Sequence, residues 1–214
     1  MNLAIIGSGG REHSICYKLK QSKRIEKLVC IPGNAGTKNI AENINIDILD
    51  FDAIYKAIKS YNIDIVIVGP EQPLVDGIVD FLSKKKIRVF GPDRFASQLE
   101  GSKIFMKDLC KKNNIPTAKF GAFDNFDSAV NFLIKNKLPI VVKADGLAAG
   151  KGVTICESIE EAKKKINSIV VASLIGVTVE ISLAKIRSIQ VFVLGNAFSP
   201  GAYTVSSLSN ISNV

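Results

Sequence analysis

Short apolar runs alternate with amphipathic segments along the first hundred residues, and this alternation restricts the fold more than any other feature. Runs typical of strands lie at 2–6, 27–31, 64–68 and 87–90, and helical spacing of apolar residues occurs at 12–20, 51–61 and 75–84. Strands that alternate with helices predict a parallel sheet covered by helices on both faces. We therefore expect residues 1–100 to form a doubly wound α/β domain.

Three segments rich in glycine and proline follow predicted strands: GSGGREH at 7–13, PGNAGT at 32–37 and GPEQPL at 69–74. Ligands bind at the carboxyl ends of the strands in such sheets, so we expect a substrate site there. Turns of this kind can present backbone N–H groups to an anion. The candidates for substrate or phosphate binding are Gly9, Gly10, Arg11, Gly33, Asn34, Gly36, Thr37, Pro70 and Glu71. For the first segment, an ordinary turn with the Arg11 guanidinium in solvent is the alternative.

The first of these segments imitates the G-x-G-x-x-G turn of dinucleotide-binding proteins. Glu12 stands where the third glycine belongs, and the segment 30–32, Cys-Ile-Pro, occupies the place of the acidic residue that holds the ribose. Both departures disfavour NAD binding. His13 is the only histidine in the sequence, and we expect it to be structural.

The second half of the chain changes pattern after Gly91-Pro92. We predict a helix ending at 112, a strand near 119–120, a helix at 126–135, strands at 140–143 and 152–156, and a helix from Ser158. The segment 158–161, Ser-Ile-Glu-Glu, has the spacing of a capping box. A glycine-rich loop joins the last two strands.

This loop, KADGLAAGKGV at 143–153, is typical of a phosphate-binding loop but differs from a Walker A loop. Only three residues separate Gly146 from Gly150, and Gly152 occupies the position of the magnesium-binding hydroxyl. A plain hairpin loop is the alternative.

Composition excludes several classes of function. The net charge of +8 comes largely from short lysine runs without interleaved aromatic residues, which disfavours a nucleic-acid groove and suits small phosphorylated substrates. No apolar run approaches the length of a membrane helix, and the N-terminus enters a strand directly, without the features of a signal peptide. The four cysteines are scattered, which favours packing thiols. We expect a cytoplasmic protein that binds neither nucleic acid nor membrane.

Five segments, in this order and spacing, resemble one family of enzymes: GGREH, PGNAGT, GPEQPLVDGI, LEGSK and KADGLAAGKGV. They resemble the phosphoribosylamine–glycine ligases, which belong to the ATP-grasp superfamily. The resemblance is close over residues 1–168.

The resemblance implies a Rossmann-like N-terminal domain at 1–100 and part of an ATP-grasp domain at 101–214. It implies ATP-dependent joining of glycine to phosphoribosylamine through a glycyl phosphate in purine synthesis, giving glycinamide ribonucleotide, ADP and phosphate. Magnesium or manganese is the implied metal, and other enzymes of the same pathway are candidate partners. The implied ATP-binding residues are Lys103, Lys143, Gly146, Gly150, Lys151, Gly152 and Glu180. No catalytic residue and no metal ligand is identified in this chain.

Residues 169–214 depart from the family pattern. They hold two basic residues and one acidic residue, against 26 and 19 in the first 168 residues, together with eight serines. The family's substrate loop and metal ligands are not recognisable, and its members are about twice this length. We expect an incomplete ligase that is inactive alone. Another ATP-grasp carboxylate–amine ligase and a non-catalytic nucleotide-binding remnant are the alternatives.

Overall fold

The computed structural model of the protein describes residues 1–147, 153–172, 179–183, 188–193 and 201–206. Contacts between Cα atoms divide the chain into two compact units. The described part of the first unit is 1–114 with 146–147, and that of the second is 115–145, 153–172, 179–183, 188–193 and 201–206.

The first unit is built on a five-stranded parallel sheet, as the alternation predicts. Its strands are β1 (Asn2–Gly7), β2 (Lys27–Pro32), β3 (Glu42–Asn43), β4 (Ile65–Val68) and β5 (Arg88–Phe90). They lie in the order β3-β2-β1-β4-β5, and every pair is parallel. The two-residue strand β3 is not among the predicted strands, because it has no apolar run of its own.

The helices of the first unit follow the predicted segments except at 71–84 and at the short helix at 98–101. They are α1 (Gly10–Lys20), α2 (Phe51–Ser60), α3 (Glu71–Asp76), α4 (Ile78–Lys84), α5 (Gln98–Gly101) and α6 (Lys103–Lys112). The single helix predicted at 75–84 is wrong at its start. Gly77 has a left-handed backbone with φ of 95°, which ends α3 and starts α4 in a new direction.

Both faces of the sheet are buried. Ala4 and Ile6 of β1 join one apolar cluster, which contains side chains of α2, α3 and α4. Leu3 and Ile5 point to the opposite face and join a second cluster with Cys16 of α1. Because neighbouring side chains of a strand alternate between faces, this division confirms that helices cover the sheet on both sides.

The second unit contains a four-stranded antiparallel sheet and a separate two-stranded one. The first consists of β6 (Phe120–Phe123), β7 (Ile140–Ala144), β8 (Val153–Cys156) and β9 (Val179–Leu183), in the order β6-β9-β7-β8. The second pairs β10 (Ser188–Val193) with β11 (Gly201–Ser206). Helices α7 (Phe126–Ile134) and α8 (Ile159–Ala172) complete the unit.

One face of the four-stranded sheet forms the core of this unit. Ile140 and Val142 of β7 and Ile181 of β9 are fully buried against Leu133 of α7 and Ile166 of α8. The side chains between them along β7 and β9 therefore point to the other face.

The helix α8 begins at the predicted capping box, but one of its two hydrogen bonds is shifted. The Ser158 hydroxyl accepts from the Glu161 backbone N–H (3.2 Å), as the motif requires. The Glu161 carboxylate accepts from the N–H of Glu157 (3.1 Å) rather than from that of Ser158. The start of the helix is thus fixed from both sides.

Among the described residues, no helix has both the length and the apolar character needed to cross a membrane. All four cysteines lie in the described part of the chain and are free thiols, and three of them are buried.

Candidate functional site

The carboxyl ends of β1, β2 and β4 bring the three predicted loops of the first unit together. The Gly33 N–H donates to the Gly7 carbonyl (3.1 Å), and the Gly69 N–H donates to the Ile6 carbonyl (3.0 Å). These bonds extend the parallel ladder into the loops. Pro70 precedes the first residue of α3, Glu71, beside the same edge.

Arg11 links the first loop to the third. Its Nη1 donates to the Gly69 carbonyl, and its Nη2 donates to Glu71 Oε1 (2.7 Å). The hydrogen bond to Glu71 raises the pKa of the Arg11 guanidinium, and the same bond is the main cause that lowers the pKa of the Glu71 carboxyl. Although 57% of the Arg11 side chain is exposed, the guanidinium is paired rather than free in solvent.

Replacing Arg11 by Met is expected to raise the pKa of Glu71 towards its ordinary value. A carboxyl group whose pKa is lowered on folding stabilises the protein at pH values above its ordinary pKa. This contribution is lost as the pH falls through the lowered pKa. Because both side chains are exposed, the loss of stability at neutral pH should stay below about 1 kcal/mol. Carboxyl carbon NMR titration of Glu71 measures the shift, with Arg24→Met as control. A Glu71 titration unchanged by Arg11→Met would contradict the pairing.

The second loop, PGNAGT, is fixed by a network of side-chain hydrogen bonds. Asn34 Oδ1 accepts from the Thr37 N–H (2.9 Å), and Thr37 Oγ1 accepts from the Asn34 N–H (2.7 Å). Asn34 Nδ2 reaches the first loop by donating to the carbonyls of Ser8 (2.9 Å) and Gly9 (3.2 Å). Asn34 therefore ties the second loop to Gly9 of the first.

Asn43 completes this network and was not found from the sequence. Its Nδ2 donates to the Asn34 carbonyl (2.8 Å), and its Oδ1 accepts from Thr37 Oγ1 (2.8 Å). It belongs to β3, and no local motif marks it. Only the pairing of β3 with β2 places it against the loop.

Glu12 and His13 support the first two loops from α1. The Glu12 side chain is 4% exposed, and its Oε2 accepts from the Gly9 N–H (2.6 Å). The His13 ring fills the space beside Gly36, where a Cβ would lie 2.8 Å from its Cε1. The expectation that His13 is structural stays a prediction. Gly10 differs from Gly36, because a Cβ on Gly10 would meet no heavy atom within 4 Å.

In the second unit, Lys143 and Glu180 lie opposite each other on β7 and β9, on the face turned away from the apolar core. Lys143 Nζ is 3.6 Å from Glu180 Oε1, and the Glu180 side chain has no exposed surface. Among the described residues, neither carboxylate oxygen of Glu180 has a hydrogen-bond partner. A buried carboxylate in this state favours a ligand that can donate hydrogen bonds.

Lys143 also lies where the glycine-rich loop begins. The strands β7 and β8 that flank this loop are antiparallel, and Lys143 is paired with Val153. Gly146, on the described part of the loop, has a left-handed backbone (φ of 94°), and its carbonyl accepts a hydrogen bond from Lys103 Nζ (2.6 Å). The predicted residues Gly150, Lys151 and Gly152 lie outside the described residues.

Within the described ranges, no group of three or more acidic, histidine or cysteine side chains could hold a metal ion. The described residues therefore provide no recognisable set of ligands for magnesium or manganese.

Family models match both halves of the chain. The N domain of phosphoribosylglycinamide synthetase matches residues 1–100, and the ATP-grasp (A) domain of the same protein matches residues 101–200. In fold, the chain is an α/β domain with a parallel sheet followed by part of an ATP-grasp domain. The chain belongs to the phosphoribosylglycinamide synthetase family.

Relatives with the name phosphoribosylamine–glycine ligase agree with this assignment. The protein from Clostridium acetobutylicum is 47% identical over 173 residues, which is 80% of this chain and 41% of that protein. The protein from Brucella melitensis is 49% identical over 168 residues, which is 78% of this chain and 39% of that protein.

A solved structure of the ligase from Thermotoga maritima is similar in fold, with a TM-score of 0.70 and 30% identity. The match covers 89% of this chain and 46% of that one. The chain thus spans less than half the length of these three relatives.

Proposed function

We propose that this chain carries the nucleotide-binding face and the amine-substrate edge of a phosphoribosylamine–glycine ligase. The observation that carries the proposal is the pairing of Lys143, where the glycine-rich loop begins, with the fully buried Glu180 on the neighbouring strand. The names of the relatives indicate, for those proteins, the joining of phosphoribosylamine to glycine. The use of ATP in this reaction is what the family resemblance implies.

The residues of the second unit fit a nucleotide. The Lys143 ammonium supplies a positive charge for a phosphate group, and such a charge-assisted hydrogen bond is strong in a site shielded from water. The two oxygens of Glu180, which have no hydrogen-bond partner among the described residues, would accept hydrogen bonds from the amino or hydroxyl groups of the nucleoside. By family resemblance, Lys103 and the segment 146–152 contact the phosphates as well.

The chemistry requires positive charge at these places. ATP supplies the phosphoryl group that activates the glycine carboxylate, and this transfer brings two anions together. Lysines and backbone N–H groups lower the barrier mainly by positioning the reactants and neutralising charge. The proposed part of the second unit in the reaction is to bind and orient the nucleotide.

The edge formed by β1, β2 and β4 is the proposed site for phosphoribosylamine. Arg11, paired with Glu71, and the hydrogen-bonded 33–37 loop place a guanidinium and amide groups at this edge. These groups suit a sugar with hydroxyl and phosphate substituents. The two sites can be tested separately, because each binds its own ligand.

Replacing Lys143 by Ala is expected to weaken ADP binding by tenfold or more. A charge-assisted hydrogen bond contributes about 1.5–3 kcal/mol, and every 1.4 kcal/mol corresponds to a factor of ten. Lys84→Ala is the matched control, because Lys84 is an exposed residue at the end of α4. Isothermal titration of ADP measures both variants. Equal losses of ADP affinity in the two variants would show that diffuse charge attraction, and not a defined site, holds the nucleotide.

Hydrogen exchange then locates the two ligands on the native chain. ADP should protect β7 and the segment around Gly146, and glycinamide ribonucleotide, a stable product, should protect residues 7–13 and 32–37. Protection by ADP confined to 7–13 would contradict the proposed nucleotide site and would favour a dinucleotide-type turn.

A further inference from the structure

Glu12 stands at the position of the third glycine in the G-x-G-x-x-G pattern of dinucleotide-binding turns. It lies in the first turn of α1, directly after the carboxyl end of β1, and its side chain is almost fully buried. The Gly9 N–H, which in such turns is available to a phosphate, donates to Glu12 Oε2 at 2.6 Å.

Three glycines leave the space for this carboxylate. A Cβ on Gly7 would lie 2.6 Å from Glu12 Cδ, one on Gly9 would lie 3.0 Å from Oε2, and one on Gly69 would overlap Oε1. Two of the three belong to GSGGREH and one to GPEQPL. The glycines that make these segments similar to phosphate-binding turns therefore enclose a side chain of the protein itself.

The neighbouring charges do not favour an anion at this point either. The Arg11 guanidinium is already bound to Glu71 at the start of α3, so its charge is compensated there. A phosphate placed beside Gly9 would not receive the hydrogen bond of its N–H, because Glu12 already accepts it. The Glu12 carboxylate would also repel the phosphate at short range.

We propose that Glu12 is a specificity-determining residue, whose buried carboxylate excludes phosphate groups from the β1–α1 turn. A phosphorylated sugar at this edge then places its phosphate outside the turn, and the pyrophosphate of a dinucleotide is rejected. The inference rests on the proposed function only in taking this edge as the substrate site.

The test is a titration of the full 214-residue chain with orthophosphate, followed through the backbone amide NMR shifts of Gly9, Gly10 and Arg11. Glu12→Gln removes the charge while keeping the shape of the side chain and one acceptor for the Gly9 N–H. Phosphate binding at the turn should become at least tenfold tighter than in the native chain. The control Glu26→Gln changes the net charge equally at a side chain that is 81% exposed.

A second variant, Glu12→Ala, removes both the charge and the acceptor, and it should also bind phosphate more tightly at the turn. Unchanged phosphate binding in a folded Glu12 variant would overturn the proposal, and so would an equal gain in Glu26→Gln. If thermal melting shows that neither Glu12 variant folds, the carboxylate serves stability and the proposal is also overturned. Because orthophosphate binding requires neither ATP nor ligase activity, these outcomes are independent of the nucleotide-site test.

Discussion

Lys143→Met should destabilise the four-stranded sheet of the second unit by about 3 kcal/mol. The substitution keeps the length of the side chain and removes its charge, so the fully buried Glu180 loses its ion-pair partner at 3.6 Å. Removing one partner of a buried pair typically costs about 3–5 kcal/mol, because the other charge stays buried without compensation. Lys143 is itself 24% exposed, which places the expected value at the lower end.

Hydrogen exchange of the β7 and β9 amides measures this effect, because it reports the free energy of opening of that sheet. The double variant Lys143→Met with Glu180→Leu should recover most of the loss, since an apolar pair of similar volume replaces the ion pair. Lys163→Met is the control. Its partner Glu160 is closer, at 3.1 Å, but is 75% exposed, so a loss below about 1 kcal/mol is expected. Equal losses from the two lysine variants would refute the role of burial.

Gly33→Ala should lower the free energy of unfolding of the first unit by about 3 kcal/mol. Gly33 has φ of 76°, and a left-handed backbone costs a residue with a Cβ roughly 1–2 kcal/mol. The new Cβ would also overlap the Asn43 side chain, and such overpacking costs about 1–3 kcal/mol. Moving Asn43 aside would break its hydrogen bonds to Asn34 and Thr37, so the loop cannot relax without loss.

Gly10→Ala is the matched control for this second prediction. Gly10 belongs to the same set of motif glycines, yet a Cβ there has open space, and its backbone lies in the first turn of α1. An alanine in a helix is favoured over glycine by roughly 0.5–1 kcal/mol, so the variant should be neutral or slightly more stable. Denaturant unfolding compares the two. A destabilisation of Gly10→Ala as large as that of Gly33→Ala would show that motif glycines are required for a reason other than space and φ.

Much of the fold could be predicted because periodicity is a local property of the chain. Ile5 and Ile6 are apolar neighbours on one strand, and a strand with both faces buried is typical of a parallel sheet. The helix α2 followed from its apolar spacing, and Asp50 caps it by accepting from the Ala53 N–H (2.9 Å). The failure at Gly77 has a physical reason. A glycine inside a helical pattern can continue the helix or take a left-handed backbone, and the surrounding packing decides which.

The sequence could also indicate the family, because five motifs in one order are far more specific than any one of them. It placed Lys143 at the start of the glycine-rich loop and Arg11 at the carboxyl end of β1. The assignment of Lys103, of Gly146 and of the segment 150–152 to nucleotide phosphates remains a prediction. So does the division into domains at residue 100.

The sequence by itself determined the parallel α/β sheet, the edge that gathers the loops, and the family to which the chain belongs. Tertiary structure alone decided which groups meet across the sheets. Glu180 faces Lys143 through the antiparallel register of β7 and β9, and Asn43 meets the PGNAGT loop through the pairing of β3 with β2. In the sequence, Glu12 only marked the position where the third glycine of the G-x-G-x-x-G pattern is absent. Its burial in the structure shows that its side chain fills the turn. Such contacts depend on strand order, register and the space between side chains, and none of these is encoded within one local segment.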